Sequence, residues 1–145
     1  MRFVFRLLLT VGAACFLALP SLASCYGIYS VVAPVAIDGD TIKGDVLIWP
    51  GLTAHASIRV LGIDTPELKS PLACERSLAI KAREFTDAWL VANYPVSISD
   101  VQPDKYGGRI DAHVRGLNGN LLAGALLAAG HARPYNSGTR QPWCQ

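Results

Sequence analysis

Three things are scarce in this sequence: a surplus of charge of one sign, histidine or cysteine at metal-ligand spacing, and apolar runs long enough to cross a bilayer. Of 13 Lys and Arg, Arg2 and Arg6 lie in the first two dozen residues, which hold no acid, so 11 basic residues face 11 Asp and Glu beyond them. A chain without a basic excess is not a tight, non-specific binder of polyanions, and any phosphate contact must come from a few placed arginines. His55, His113 and His131 share no ligand spacing with one another or with cysteine, which excludes a zinc-type centre and leaves all three without a catalytic role. The longest apolar run, Leu7 to Leu19, is broken by Thr10 and Gly12 and falls short of the roughly 20 residues that span a bilayer. There is no internal repeat and no low-complexity stretch. At 145 residues the chain has material for one hydrophobic core and not for two.

What is present begins with an export signal. Arg2 and Arg6, the apolar run, Pro20 and the small residues Ser21 to Ser24 read as a signal peptide over residues 1–24, leaving 25–145 as the folded domain. Leu22-Ala23-Ser24-Cys25 resembles a bacterial lipobox, in which Cys25 becomes the lipidated first residue. The competing reading is ordinary cleavage after Ala23 or Ser24. Either way the domain is exported, to the periplasm, the medium or, through a lipid on Cys25, the membrane surface. With Cys15 in the signal, Cys25, Cys74 and Cys144 remain, an odd number for an oxidising compartment. If Cys25 carries lipid, Cys74 and Cys144 are left to pair and would staple the C-terminal tail to the middle of the chain. If it does not, Cys25 pairs with one of them and a thiol stays free.

The periodicities alternate in kind. Val31–Ile37, Thr41–Leu47 and Ala56–Ile63 read as three strands, joined by a turn at Asp38-Gly39-Asp40 and a reversal at Trp49–Leu52. From Ser77 to Leu90 the period becomes helical, with Leu78, Ala82, Phe85 and Trp89 on one face. Pro95–Ser99 and Arg109–Arg115 read as two more strands, and Leu121–Ala129 as a second helix capped by Asn118 or Asn120 and stopped by Gly130. The tail to Gln145 looks irregular. This order is compatible with an α+β Greek-key barrel of five strands, though it does not select that barrel over other small α+β folds.

Three polar clusters can carry chemistry. Asp38-Gly39-Asp40-Thr41 sets two carboxylates about a glycine, which suits a hard cation but is also a common hairpin turn. Arg59 precedes Asp64-Thr65-Pro66-Glu67, where Pro66 stiffens the turn and holds Glu67 beyond Asp64; the plain alternative is a capped turn. Asp104-Lys105-Tyr106-Gly107-Gly108-Arg109 delivers a guanidinium, the group that grips phosphate bidentately, to the start of a strand.

Together and in this order the clusters resemble the staphylococcal nuclease (thermonuclease-like) family over residues 31–135. The resemblance implies a five-stranded OB-fold barrel with two to three α-helices, one Ca²⁺, and hydrolysis of DNA or RNA, single strands favoured, to 3′-phosphate ends. It implies Asp40 and Asp64 as metal carboxylates, Thr65 as a carbonyl ligand and Asp38 as a ligand through water. It implies Glu67 as the residue that orients or deprotonates the attacking water, and Arg59 and Arg109 as the phosphate grip. Lys105, Tyr106 and Tyr135 are the candidates for contact with the substrate. With a cation and two guanidiniums beside it, as the resemblance implies, orienting the water matters more for Glu67 than taking its proton. The chain departs from the family pattern at Gly108, which stands between Tyr-Gly and Arg109, so the loop must absorb one residue for Arg109 to reach the site. The rival readings are a barrel with a damaged site that binds nucleic acid or a peptide without cutting, and a lipid-anchored envelope protein with a structural role. Nothing in the sequence argues for an oligomer, and monomer is the default.

Overall fold

The structure, a computed structural model, describes residues 27–104 and 107–144. Residues 1–24, read above as a signal peptide, and Cys25, Lys105 and Tyr106 lie outside the described residues.

Alternating burial builds the first sheet strands. In β1 (Tyr29–Ala36), β2 (Thr41–Trp49) and β3 (Leu52–Val60), Val31, Ile42, Val46, Ile58 and Val60 turn inward while Val32, Lys43 and Asp45 face solvent. A short β4 (Ile63–Asp64) follows, then helix α1 (Ala73–Ala92), β5 (Val96–Pro103), β6 (Ile110–Arg115), helix α2 (Leu122–Ala128) and a two-residue β7 (Arg133–Pro134). Five strands close into a barrel in the order β1-β2-β3-β6-β5, with β3 and β6 parallel and the other neighbours antiparallel. This is the α+β OB-fold barrel with two helices among the described residues. Closure leaves the barrel no open edge, and Ile98, Val114, Leu122 and Leu126 complete a core that α1 and α2 cap. Among the described residues no helix is long and apolar enough to cross a membrane.

Three local expectations need correction. Helix α1 starts at Ala73, a turn before Ser77, because the Ser70–Glu75 segment is already tied down by its own side chains. Its buried face is Ala79, Ala82, Thr86, Trp89 and Leu90, while Leu78 is exposed and Phe85 only partly buried. The face is rotated because α1 lies against the Asp38–Asp40 turn, where only small side chains fit. At α2 neither asparagine caps: the N-cap position is Leu121, without a side-chain cap, and Asn120 instead donates from Nδ2 to Asn93 Oδ1 at 2.8 Å. Gly130 does end the helix, at φ 73°, with its amide and that of His131 donating back to the carbonyls of Leu127 and Leu126.

The reading of Gly39 also changes in kind. Its backbone needs no left-handed conformation; it needs room. A Cβ there would meet Ala82 Cβ at 2.8 Å and Thr65 Cβ and Cγ2 at 2.9 Å, and Thr86 Oγ1 donates to the Gly39 carbonyl at 2.7 Å. Helix, turn and the Asp64–Glu67 segment therefore touch at one point. The Cβ atoms of Ala82 and Thr65 are fixed to their backbones and no rotamer change moves them, so Gly39→Ala is expected to cost about 1–3 kcal/mol, read as a lower denaturant midpoint with an unchanged slope.

Candidate active site

The carboxylates come together because three chain segments meet at one end of the barrel. Asp40 closes the β1–β2 turn, where its amide donates to Asp38 Oδ1 at 3.2 Å and the Val60 amide donates to its carbonyl at 2.8 Å. Arg59 lies opposite Thr41 in the β2–β3 ladder, and Asp64 ends the short β4. Asp40, Asp64 and Thr65 are buried, whereas Asp38 and Glu67 are partly exposed.

Arg59 links the pair. Its Nη1 donates to Asp40 Oδ1 at 3.2 Å, and its Nη2 lies 3.0 Å from Asp40 Oδ2 and 3.6 Å from Asp64 Oδ1. Despite those ion-pair distances, Asp40 Oδ2 and Asp64 Oδ1 are buried and accept no aligned hydrogen bond. Two buried carboxylate oxygens without hydrogen bonds are costly, and their chemistry suits a hard cation. Among the described residues no three His, Cys, Asp or Glu side chains converge as a metal cluster. Any cation here would take two side-chain carboxylates and draw its other ligands from backbone carbonyl and water.

Burial dominates the acid chemistry of Asp40. Its carboxyl is pushed up from 3.8 to about 7, chiefly by desolvation; the Arg59 guanidinium opposes the rise, and Asp38, by charge and hydrogen bond, and then Asp64 add to it. The folded chain thus holds this proton more tightly than the unfolded chain does. Asp40 costs no stability below pH 3.8 and costs progressively more as pH rises to about 7. In chelator, Asp40→Asn is therefore expected to raise the unfolding midpoint at about pH 8 and to leave it nearly unchanged near pH 4. Equal shifts at both pH values would contradict the assignment.

Glu67 sits on a turn that another acid clamps. Glu75 accepts from the Glu67 amide through Oε1 at 3.2 Å and from Ser70 Oγ through Oε2 at 2.6 Å. The side chain of Glu67 faces a cleft of about 660 Å³ that Arg59, Arg109, Asp111, Tyr135 and Arg140 also line. Arg109 reaches this cleft despite Gly108, because Gly107 and Gly108 both take φ 72°, a conformation glycine adopts without strain. Its Nε and Nη2 both lie 2.8 Å from Asp104 Oδ2. Tyr135 anchors the cleft wall by donating from its amide to the Gly62 carbonyl at 2.9 Å and from its hydroxyl to Gly138 at 2.8 Å. The histidines stay outside this constellation: His55 pairs with Asp45 and His131 packs on Phe85.

The sequence reading missed the tail. Residues 135–144 form a strap across the site: Arg140 Nε lies 2.8 Å from Asp64 Oδ1, its Nη1 pairs with Glu67 Oε1, and Trp143 Nε1 donates to Asp64 Oδ2 at 3.3 Å. Partial burial disfavours the charge of Arg140, but the hydrogen bond to Glu67 and the charges of Asp64, Glu67 and Asp40 raise its pKa above the usual guanidinium value. Arg133 lies 3.9 Å over the Trp143 ring and donates to the Pro142 carbonyl. Cys144 then bonds to Cys74 at the start of α1, with 6.4 Å between Cα atoms. The Cys74–Cys144 pairing, one of the two alternatives the sequence leaves open, carried the signal for Arg140, since a bond from Cys144 to the segment after Glu67 brings the preceding residues over the carboxylates.

The family model described as staphylococcal nuclease homologue matches residues 57–142, more than half of the chain. The match takes in Arg59, Asp64, Glu67, Arg109 and Arg140 but starts after Asp40, whose membership in the site rests on its ion pair with Arg59. No curated protein matches the chain.

Proposed function

The chain belongs to the staphylococcal nuclease family, and from that premise we propose that it is a calcium-dependent nuclease that hydrolyses phosphodiester bonds of DNA or RNA, single strands favoured, to 3′-phosphate ends. The observation that carries this reading is the buried pair Asp40 and Asp64, each with an oxygen that accepts no hydrogen bond, beside a cleft lined by Glu67 and three arginines. Asp40, Asp64 and the carbonyl of Thr65 would hold the Ca²⁺, with Asp38 reaching it through water; an all-oxygen donor set is what this ion takes. When bound, the ion supplies positive charge against the oxygens of the scissile phosphate.

The residues of the chain do the rest. Arg59 and Arg109 grip the non-bridging oxygens and offset the charge that builds up on phosphorus during attack. Glu67, held by its paired turn, orients a water in line with the P–O5′ bond and accepts its proton as the O–P bond forms. The P–O5′ bond breaks, the 5′ oxygen takes a proton from solvent water and leaves as a hydroxyl, Glu67 returns its proton to solvent, and the phosphate stays on the 3′ side. Arg140 pairs with the Glu67 carboxylate and, among the described residues, lies nearer to Asp64 than Arg59 does.

The balance of charge beyond the signal segment fits turnover without tight retention of product. Following the same single-stranded oligonucleotide for retention on a filter and for cleavage on a gel, with Ca²⁺ or with chelator, separates the readings. Cleavage only with calcium supports the nuclease. Salt-sensitive retention without cleavage would replace it with a binding module, and neither signal would leave a structural role in the envelope.

A further inference from the structure

The far end of the barrel carries a feature that the site does not use. The β2–β3 reversal is six consecutive non-polar residues, Leu47-Ile48-Trp49-Pro50-Gly51-Leu52, and it is turned to solvent, with Trp49 73% and Leu52 56% exposed. No acid occurs between Asp45 and Asp64. A tip of this composition is unusual on a surface, because an exposed aromatic and three aliphatic side chains in one patch mark a place that meets an apolar partner.

The register of the strands says what lies next to it. β1 runs antiparallel to β2 with Val31 opposite Val46 and Val32 opposite Asp45, so the chain enters the barrel beside Ile48 and Trp49. Ile28, at that entry, is itself 73% exposed. Cys25 precedes Ile28 by three residues, a stretch that spans at most about 10 Å whatever its conformation. The apolar run Leu7–Leu19 and the lipobox-like Leu22–Cys25 lie just upstream. Where Cys25 carries lipid, the attachment to a bilayer would emerge beside the apolar tip.

We propose that the β2–β3 tip, with Ile28, is a membrane-docking surface that seats this end of the barrel in the interfacial layer of a phospholipid bilayer. Trp49 lies at the headgroup level, where indole is favoured, and Leu47, Ile48 and Leu52 enter the acyl boundary. The carboxylates stand at the opposite end of β2, about 25 Å away at the usual rise per residue, so the cleft faces the aqueous side. A chain docked this way presents its site to polymers that approach the membrane.

The test uses the full chain in vesicles of phosphatidylethanolamine and phosphatidylglycerol whose acyl chains carry bromine near the headgroup, a short-range quencher of indole emission. Trp89 is buried in the core and Trp143 is bonded to Asp64 at the other end, so Trp49 is the indole within reach of the lipid. The expected result is quenched emission that is lost in Trp49→Phe while that variant still sediments with the vesicles. Leu52→Asp, which keeps Trp49 as reporter at an exposed position, is expected to lose most of the quenching. Absence of quenching, or quenching unchanged in Trp49→Phe, overturns the proposal. So does a stable dimer without lipid that buries Trp49, which would give the tip to a second copy. The readout does not depend on nucleic-acid cleavage and stands or falls apart from it.

Discussion

Replacing Glu67 with alanine is expected to slow calcium-dependent cleavage of single-stranded DNA by about three orders of magnitude, the scale of a positioned general base. The fold should survive, because Glu67 is partly exposed and its turn is held through its backbone amide by Glu75. Calcium affinity should change little, since Asp40 and Asp64 are untouched. Glu67→Gln separates the two roles of the carboxylate: an amide can still hold a water in place but cannot accept its proton. A glutamine variant that keeps most of the rate would mean orientation dominates, and one as slow as alanine would mean proton acceptance does. Loss of folding or of calcium binding in Glu67→Ala would contradict the role given to this residue.

Removing the Cys74–Cys144 bond is expected to produce the largest loss of stability. The bond spans 70 residues, and freeing a loop of that length returns chain entropy to the unfolded state worth about 4 kcal/mol. The doubly substituted Cys74→Ser, Cys144→Ser chain should unfold at a markedly lower denaturant concentration than the oxidised protein. The loss should be concentrated in unfolding rather than in altered barrel packing, because both sulfurs lie outside the barrel core. A second consequence is local. The strap would lose its covalent anchor, and with it the restraint that holds Arg140 on Asp64 and Glu67 and Trp143 on Asp64. An unchanged denaturation midpoint would show that the strap is held by its polar contacts alone.

The polar clusters were legible in the sequence because each carries its own local reason to exist. Asp38-Gly39-Asp40 and Asp64-Thr65-Pro66-Glu67 sit where period-two strands stop, and strand ends are where side chains can converge without entering a core. The strand assignments followed from alternation, but the third, read as Ala56–Ile63, divides into β3, which stops at Val60, and β4, which leaves the barrel to pair with β7; β3 begins at Leu52 because its hairpin pairing with β2 continues to Trp49. The α1 face was misjudged because the helical period ranks large apolar residues first, whereas the helix buries Ala79 and Ala82, the latter against Gly39. That contact is between distant segments and leaves no local signature. The strap was missed for the same reason. Nothing in residues 135–144 repeats with the period of a strand or a helix, and their order comes from a disulfide, a cation over an indole ring and ion pairs to acids about 70 residues earlier.

The central claim is tested most directly by the chemistry of the ends. A 5′-labelled single-stranded DNA oligonucleotide is incubated with the protein in Ca²⁺ or in chelator, and the fragments are run before and after phosphatase treatment. The account predicts fragments only with calcium, each shifting to slower migration after phosphatase because it carries a 3′-phosphate. Fragments indifferent to phosphatase, or none from a folded protein that binds calcium, would contradict it.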